Sequence, residues 1–222
     1  MTAPLRVVVA DDQPLVRQAF SRVISSQADF DVVGVSADGR EAVETAIDLE
    51  PDLIVMDVRM PRLDGIAATR EILAAAKPER VPRILVVTTF NLDEYVYDAL
   101  RAGASGFLLK DASPASLLSA LRTLAAGDAL IDPAATRSLI GAFGGRIRPP
   151  LLDAAPLRSL SARELETLRF LAEGRSNTEI ADAMFVSRET AKSYVSRVLL
   201  KLGLRDRVQA VVFAHRTGLI DG

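Results

Sequence analysis

In the first half of this 222-residue chain, polar residues stand where strand-like runs end: Asp11 and Asp12, Asp57, Thr88 and Lys110. The clearest case is Leu53 to Pro61, LIVMDVRMP, where four apolar residues lead straight into Asp57 and a breaker follows. A short apolar run bounded by turn signals reads as a buried strand of a parallel sheet. Ligands of open α/β sheets bind in the crevice beyond the carboxyl ends of the strands. Three carboxylates gathered there repel one another and raise one another's pKa unless a cation shares the site. A hard divalent ion with oxygen ligands, Mg²⁺ with several waters retained, resolves that repulsion. Lys110 and the Thr88 hydroxyl then supply a cation and a hydrogen-bond donor suited to an oxyanion such as a phosphoryl group. Together the set describes an acid that accepts a phosphoryl group.

Each residue alone also has a plainer reading. An acidic pair after a strand often caps a helix or sits in a solvated turn, Thr88 could cap the following helix, and a single lysine usually points into water. Jointly those readings need four independent coincidences at the ends of the appropriate strands.

The elements that must position these residues follow from the hydrophobic pattern. Strand candidates are Leu5 to Ala10, Asp31 to Ser36, Leu53 to Asp57, Arg83 to Thr88 and Ser105 to Leu109. Helical stretches lie between them near Pro14 to Ser26, Gly39 to Leu49, Asp64 to Ala76 and Leu92 to Arg101, and a fifth follows at Pro114 to Ala126. Strict alternation of strand and helix predicts an α/β, doubly wound, flavodoxin-like domain with a five-stranded parallel sheet.

Composition narrows the classes. Hydrophobic residues at 49% and charged residues at 25% are ordinary for a globular protein. With no cysteine there is neither a disulfide frame nor a thiolate metal site, and the single histidine, His215, argues against a multi-histidine centre. The start MTAPLRVVVADD has an apolar run cut off by Asp11 and Asp12, so it reads as neither a signal peptide nor a membrane span. No membrane partner is expected, and a cytoplasmic location is. Charge is uneven: from Leu157 onward 11 Lys and Arg face 8 Asp and Glu, net +3, while the first 156 residues, with 16 against 21, carry −5. An acidic front and a basic rear point to different partners.

Asp11, Asp12, Asp57, Thr88 and Lys110, with the runs VRMPRLDG after Asp57 and ASGFLLKD around Lys110, resemble the receiver domain of two-component response regulators over about residues 5 to 126. By that resemblance Asp57 is the nucleophile that takes a phosphoryl group from a phosphohistidine of a sensor histidine kinase. Asp11 and Asp12 become Mg²⁺ carboxylates with Asp57, and the Arg59 backbone carbonyl a further ligand. Thr88 and Lys110 contact the incoming phosphoryl oxygens, and Phe107 takes the place of the switch aromatic that turns inward when Thr88 moves. Asp111 follows Lys110 where many receivers have a cis proline, so no cis bond is expected there. Phe107 lacks the hydroxyl of the commoner tyrosine.

After Ala126 the pattern weakens. Residues 127–156 hold Gly141, Gly144 and Gly145 with Pro149, Pro150 and Pro156, and one short helix candidate near Pro133 to Phe143. The stretch reads as an interdomain linker between a domain at 1–126 and a second at 157–222. The last part predicts four helices. Ser161 with Glu164 and Ser176 with Glu179 fit capping boxes, Ser187 is an N-cap candidate, Gly203 a stop, and Asp206 with Gln209 opens the last helix. The pair around Ser176 to Lys201 has helix-turn-helix proportions. In its second helix Ala191, Val195, Val198 and Leu202 form one apolar stripe, and Glu189, Lys192, Ser193, Ser196 and Arg197 lie opposite. Such a polar face suits a major groove, where it meets base edges and phosphates. A merely solvated basic face is the plainer reading of an isolated helix. The helix-turn-helix context and the positive charge of this half weigh against it.

The run from LSARELETLRFLAEGRSN to the final HRTGLI resembles the DNA-binding domain of the LuxR/NarL group almost without a gap over residues 160 to 220. By this resemblance Lys192, Ser193 and Ser196 meet bases, Lys201 and the Asn177 to Thr178 turn lie nearer phosphates, and Arg188 and Arg197 join the DNA-binding set. Ala191 stands where the group usually has valine, and Ser196 where a lysine is often found. The last helix, amphipathic through Val208, Val211 and Val212, resembles the group's dimer contact. Together the resemblances imply a regulator of the NarL/FixJ type: a phosphorylation-controlled transcription regulator, not an enzyme, that forms a homodimer on phosphorylation and binds double-stranded DNA. Two alternatives remain at this point. A phosphatase resembling the haloacid dehalogenase group needs a second acid two residues after the nucleophile, where this chain has Arg59. A receiver-like regulator could also answer to a ligand or protein without phosphorylation.

Overall fold

The computed structural model describes residues 3–89, 93–126 and 155–219. The helix candidate near Pro133 to Phe143 and most of the expected linker lie outside these residues. The chain divides into two compact units, Met1–Leu130 and Ile131–Gly222.

The first unit alternates β1 (Leu5–Ala10), α1 (Pro14–Ser25), β2 (Phe30–Ser36), α2 (Gly39–Leu49), β3 (Leu53–Asp57), α3 (Gly65–Ala75), β4 (Arg83–Thr88), α4 (Asp93–Ala102), β5 (Gly106–Leu109) and α5 (Pro114–Ala125). The strands form one sheet in the order β2-β1-β3-β4-β5, parallel at every pairing. The order reverses between β1 and β3, which opens the crevice at the carboxyl edge. β3 lies at the centre and is buried along its whole length. That is why its sequence is a continuous apolar run rather than an alternating one.

Alternate residues of each strand face opposite sides. Val7, Val9, Leu53, Val55, Leu85 and Val87 join Ile24 of α1 and Leu117, Leu121 and Leu124 of α5 in one core. The intervening residues, among them Val8, Ile54, Met56, Ile84 and Val86, are as fully buried, so the sheet is covered on both faces.

The second unit opens with a 3₁₀ turn at Ala155–Ser159, followed by α6 (Ala162–Ala172), α7 (Asn177–Met184), α8 (Arg188–Leu202) and α9 (Arg207–Arg216). Ser161 and Glu164 close a capping box on α6, as do Ser176 and Glu179 on α7. Ser187 caps α8 through the Thr190 N–H, and Gly203, at φ 63°, ends it. Leu168, Leu171, Ile180, Met184, Ala191, Val195 and Val198 share a core with Ala210 and Ala214 of α9. Val208, Val211 and Val212 are 6% exposed or less, the buried side of α9.

Candidate functional site

Strand register assembles the site. β1 pairs with β3 so that Ala10 stands opposite Met56, which sets Asp11 beside Asp57. Asp57 pairs with Val87, so Thr88 comes next to it. Thr88 pairs with Leu109, and the Lys110 N–H donates to the Thr88 carbonyl at 2.8 Å. Polar residues from four parallel strand ends therefore share one edge of the sheet.

The Lys110 ammonium lies 2.7 Å from Asp11 Oδ2 and 2.9 Å from Asp57 Oδ2. Asp11, Asp57 and Thr88 are buried, at 3% exposed or less, and Asp12 is exposed. Asp11 is held further by the Gln13 N–H on its Oδ1 at 2.9 Å and by the Arg17 guanidinium on its carbonyl at 2.6 Å. Burial pushes the Asp57 carboxyl above the usual carboxylate range and the Asp11 charge adds to this, against the pull of Lys110 and of the Arg59 N–H. Burial alone would push the Lys110 ammonium down, but the Asp11 and Asp57 carboxylates hold it above its ordinary value. The lysine therefore stays charged beside an acid whose charge is costly to keep.

The loop after Asp57 is pressed against it. An added Cβ on Gly65 would stand 1.8 Å from the Asp57 carbonyl oxygen, so only glycine fits at the start of α3. The Gly65 N–H donates to the Val58 carbonyl at 2.9 Å, and the Val58 N–H to the Val87 carbonyl at 3.2 Å. A cavity of about 620 Å³ opens beside this loop, lined by Asp12, Arg59, Met60, Ile66 and Arg70 among others. Phe107, opposite Val86 on β5, is 4% exposed. No cis peptide bond occurs among the described residues.

In the second unit α7 and α8 are joined by the three residues Phe185 to Ser187, the length of a helix-turn-helix. Ala191, Val195 and Val198 of α8 are buried, and Arg188, Lys192, Ser193, Ser196, Arg197 and Lys201 are exposed. Ser193 and Ser196 hydroxyls donate back to the Glu189 and Lys192 carbonyls. The Arg197 guanidinium lies 5.4 Å from the Tyr194 ring centroid. At the start of α7 Thr178 is exposed, and Asn177 Oδ1 accepts from Arg207 at 3.4 Å.

Residues 7–122 match the response regulator receiver domain, and residues 158–214 match the bacterial regulatory proteins of the luxR family. The chain belongs to the response regulators with a LuxR-type DNA-binding domain. A relative from Bacillus subtilis (strain 168), the uncharacterized transcriptional regulatory protein YxjL, is 41% identical over 217 residues, 97% of each chain. Among solved structures, the response regulator ChrA of a heme-sensing two-component system is 30% identical with a TM-score of 0.54, covering 99% of this chain and 100% of that one. The response regulator RcsB bound to DNA is 25% identical with a TM-score of 0.56, covering 96% and 98%.

As a response regulator the chain is a DNA-binding transcription regulator. Its acidic cluster fits a divalent cation: ligand oxygens of Asp11, Asp12 and Asp57 lie within 4.8 Å of one another, all hard donors of the kind Mg²⁺ takes. No helix among the described residues is long and apolar enough to cross a membrane. Sequence reasoning missed two side chains near the site, Asp38 and Arg62, which form an ion pair. The VRMPRLDG run contains Arg62, but nothing in its spacing marks a partner 24 residues earlier.

Proposed function

We propose that this response regulator takes a phosphoryl group on Asp57 from the phosphohistidine of a sensor histidine kinase, and that phosphorylation promotes homodimerisation and binding to double-stranded DNA at promoters. The observation that carries this reading is the Lys110 ammonium set between the buried Asp11 and Asp57 carboxylates. In the transfer an Asp57 oxygen attacks phosphorus while the P–N bond to the imidazole breaks and its electron pair returns to the ring nitrogen. Lys110 and Thr88 then meet the new phosphoryl oxygens, whose added charge draws them inward. Asp11, Asp12, Asp57 and the Arg59 backbone carbonyl would hold Mg²⁺, which would offset the negative charge gathered there. Phe107 fills the space that Thr88 leaves. Beyond phosphotransfer and slow autodephosphorylation, the chain is not an enzyme.

Boundaries at 1–126 for the receiver, 127–156 for the linker and 157–222 for the DNA-binding domain are supported by the matched ranges and by a division between units that falls inside the linker. Lys192, Ser193 and Ser196 read bases, Lys201, Asn177 and Thr178 lie nearer phosphates, and Arg188 and Arg197 complete the DNA-binding set. A DNA partner implies action in the cytoplasm.

Intact-mass spectrometry after incubation with Mg²⁺ and a small-molecule phosphodonor tests the phosphoacceptor. The expected result is one phosphoryl group on the wild type and none on Asp57→Asn. Equal labelling of both would overturn the assignment.

A further inference from the structure

We propose that the Asp38–Arg62 ion pair is a clamp that sets the position of the loop following the phosphoacceptor, which makes Arg62 and Asp38 positioning residues for cation binding. The inference rests on the receiver reading above.

The loop from Val58 to Asp64 is short and closed on itself. Gly65 donates to the Val58 carbonyl at 2.9 Å, and a tight turn brings the Leu63 N–H to 2.7 Å from the Pro61 carbonyl. At its apex Arg62 has φ 63°, a left-handed conformation unfavourable for a residue with a Cβ. The side chain offers an offset. Its guanidinium donates to Asp38 Oδ2, on a carboxylate whose side chain is 8% exposed. The other Asp38 oxygen is already engaged, accepting the Arg40 and Glu41 N–H groups at 2.9 and 3.0 Å as the N-cap of α2.

The loop also touches that helix directly. An added Cβ on Gly39 would lie 2.1 Å from the Leu63 carbonyl oxygen, so the loop and the first residue of α2 meet backbone to backbone. One end of α2 thus holds the loop by contact and by charge. The same loop carries Arg59, whose N–H donates to the Asp57 carboxylate and whose carbonyl belongs to the proposed ligand set. Where the clamp holds the loop, both Arg59 groups are held too.

Charge alone predicts the opposite of what the clamp predicts. Removing the positive Arg62 from an acidic neighbourhood that includes Glu41 and Glu44 favours a nearby cation, weakly because its side chain is 62% exposed. Loss of the clamp loosens a ligand and weakens the cation.

Mg²⁺ affinity of the full chain, measured by isothermal titration calorimetry, separates the two. Arg62→Ala and Asp38→Asn are expected to weaken Mg²⁺ by about 10-fold, the scale of outer-shell losses at metal sites. The double variant should be no weaker than either single one, because the two residues act as a pair. Arg62→Lys keeps the pair and should stay within about 2-fold of the wild type, well below an outer-shell loss. Thermal unfolding of each variant checks that the receiver remains folded. Wild-type or tighter Mg²⁺ binding in folded Arg62→Ala would overturn the clamp while leaving the receiver reading intact. A wild-type chain that binds no Mg²⁺ would overturn both.

Discussion

Lys201, in the last turn of α8, places its ammonium 2.7 Å from Glu164 Oε2, and Glu164 at the start of α6 is buried. The same ammonium donates to the Ser159 carbonyl at 3.2 Å, and the same carboxylate accepts the Ser161 N–H at 2.7 Å. One ion pair therefore ties the residues that lead into α6 to α8, the helix on which Lys192, Ser193, Ser196 and Arg197 are exposed.

Lys201, and after it the Ser161 N–H, hold the Glu164 carboxyl well below its usual 4.5, at about 2. A carboxylate depressed in the folded state binds fewer protons there than when unfolded. Its stabilisation is complete above pH 4.5 and is lost as pH falls toward 2. Glu164→Gln keeps a capping-box side chain but loses the charge. It should lower the stability of the DNA-binding unit by about 1–2 kcal/mol at neutral pH. Urea unfolding across this pH range should show the wild type losing more stability than the variant, and parallel curves would contradict the assignment.

Removing Lys110 strands two buried carboxylates. Lys110→Ala is expected to destabilise the receiver by about 3 kcal/mol in the absence of divalent cations, the scale of a broken buried pair. Added Mg²⁺ should recover part of the loss, since a cation bound to the folded state stabilises it by mass action. Urea unfolding with and without Mg²⁺ checks both, and a variant as stable as the wild type without Mg²⁺ would count against the geometry.

Gly65→Ala must displace the Asp57 backbone, because the new Cβ has no other room. The expected cost is about 1–3 kcal/mol of receiver stability, with slower phosphoryl uptake at Asp57. Thermal unfolding and a labelling time course measure these, and wild-type behaviour in both would show that the loop yields easily.

Much of this was legible in the sequence, for reasons that differ by element. β3 was readable to the residue because a strand buried on both faces must be apolar throughout and its charged last residue marks the edge. The helix starts of the second unit were equally readable, since Ser161, Ser176, Ser187 and Asp206 each accept the backbone N–H three positions on. β2 begins at Phe30 rather than Asp31 and β5 at Gly106 rather than Ser105, boundaries set by hydrogen-bond register that no local pattern encodes. The gathering of Asp11, Asp57, Thr88 and Lys110 followed from parallel topology once the strands were placed. The Asp38–Arg62 and Glu164–Lys201 pairs did not, because each joins residues distant in sequence through side-chain geometry alone.

For DNA recognition, Lys192→Ala is expected to weaken specific binding by about 1–3 kcal/mol and relax base preference at its position. Fluorescence anisotropy titrations over a salt series would measure affinity and slope together. Unchanged affinity with an unchanged slope would remove Lys192 from the interface.

Solution mass by light scattering, with Mg²⁺ and a small-molecule phosphodonor, for the wild type and Asp57→Asn tests whether phosphorylation of Asp57 drives assembly. A shift from monomer to dimer is expected in the wild type alone. No shift in either protein, or the same shift in both, would contradict phosphorylation of Asp57 as the switch for assembly.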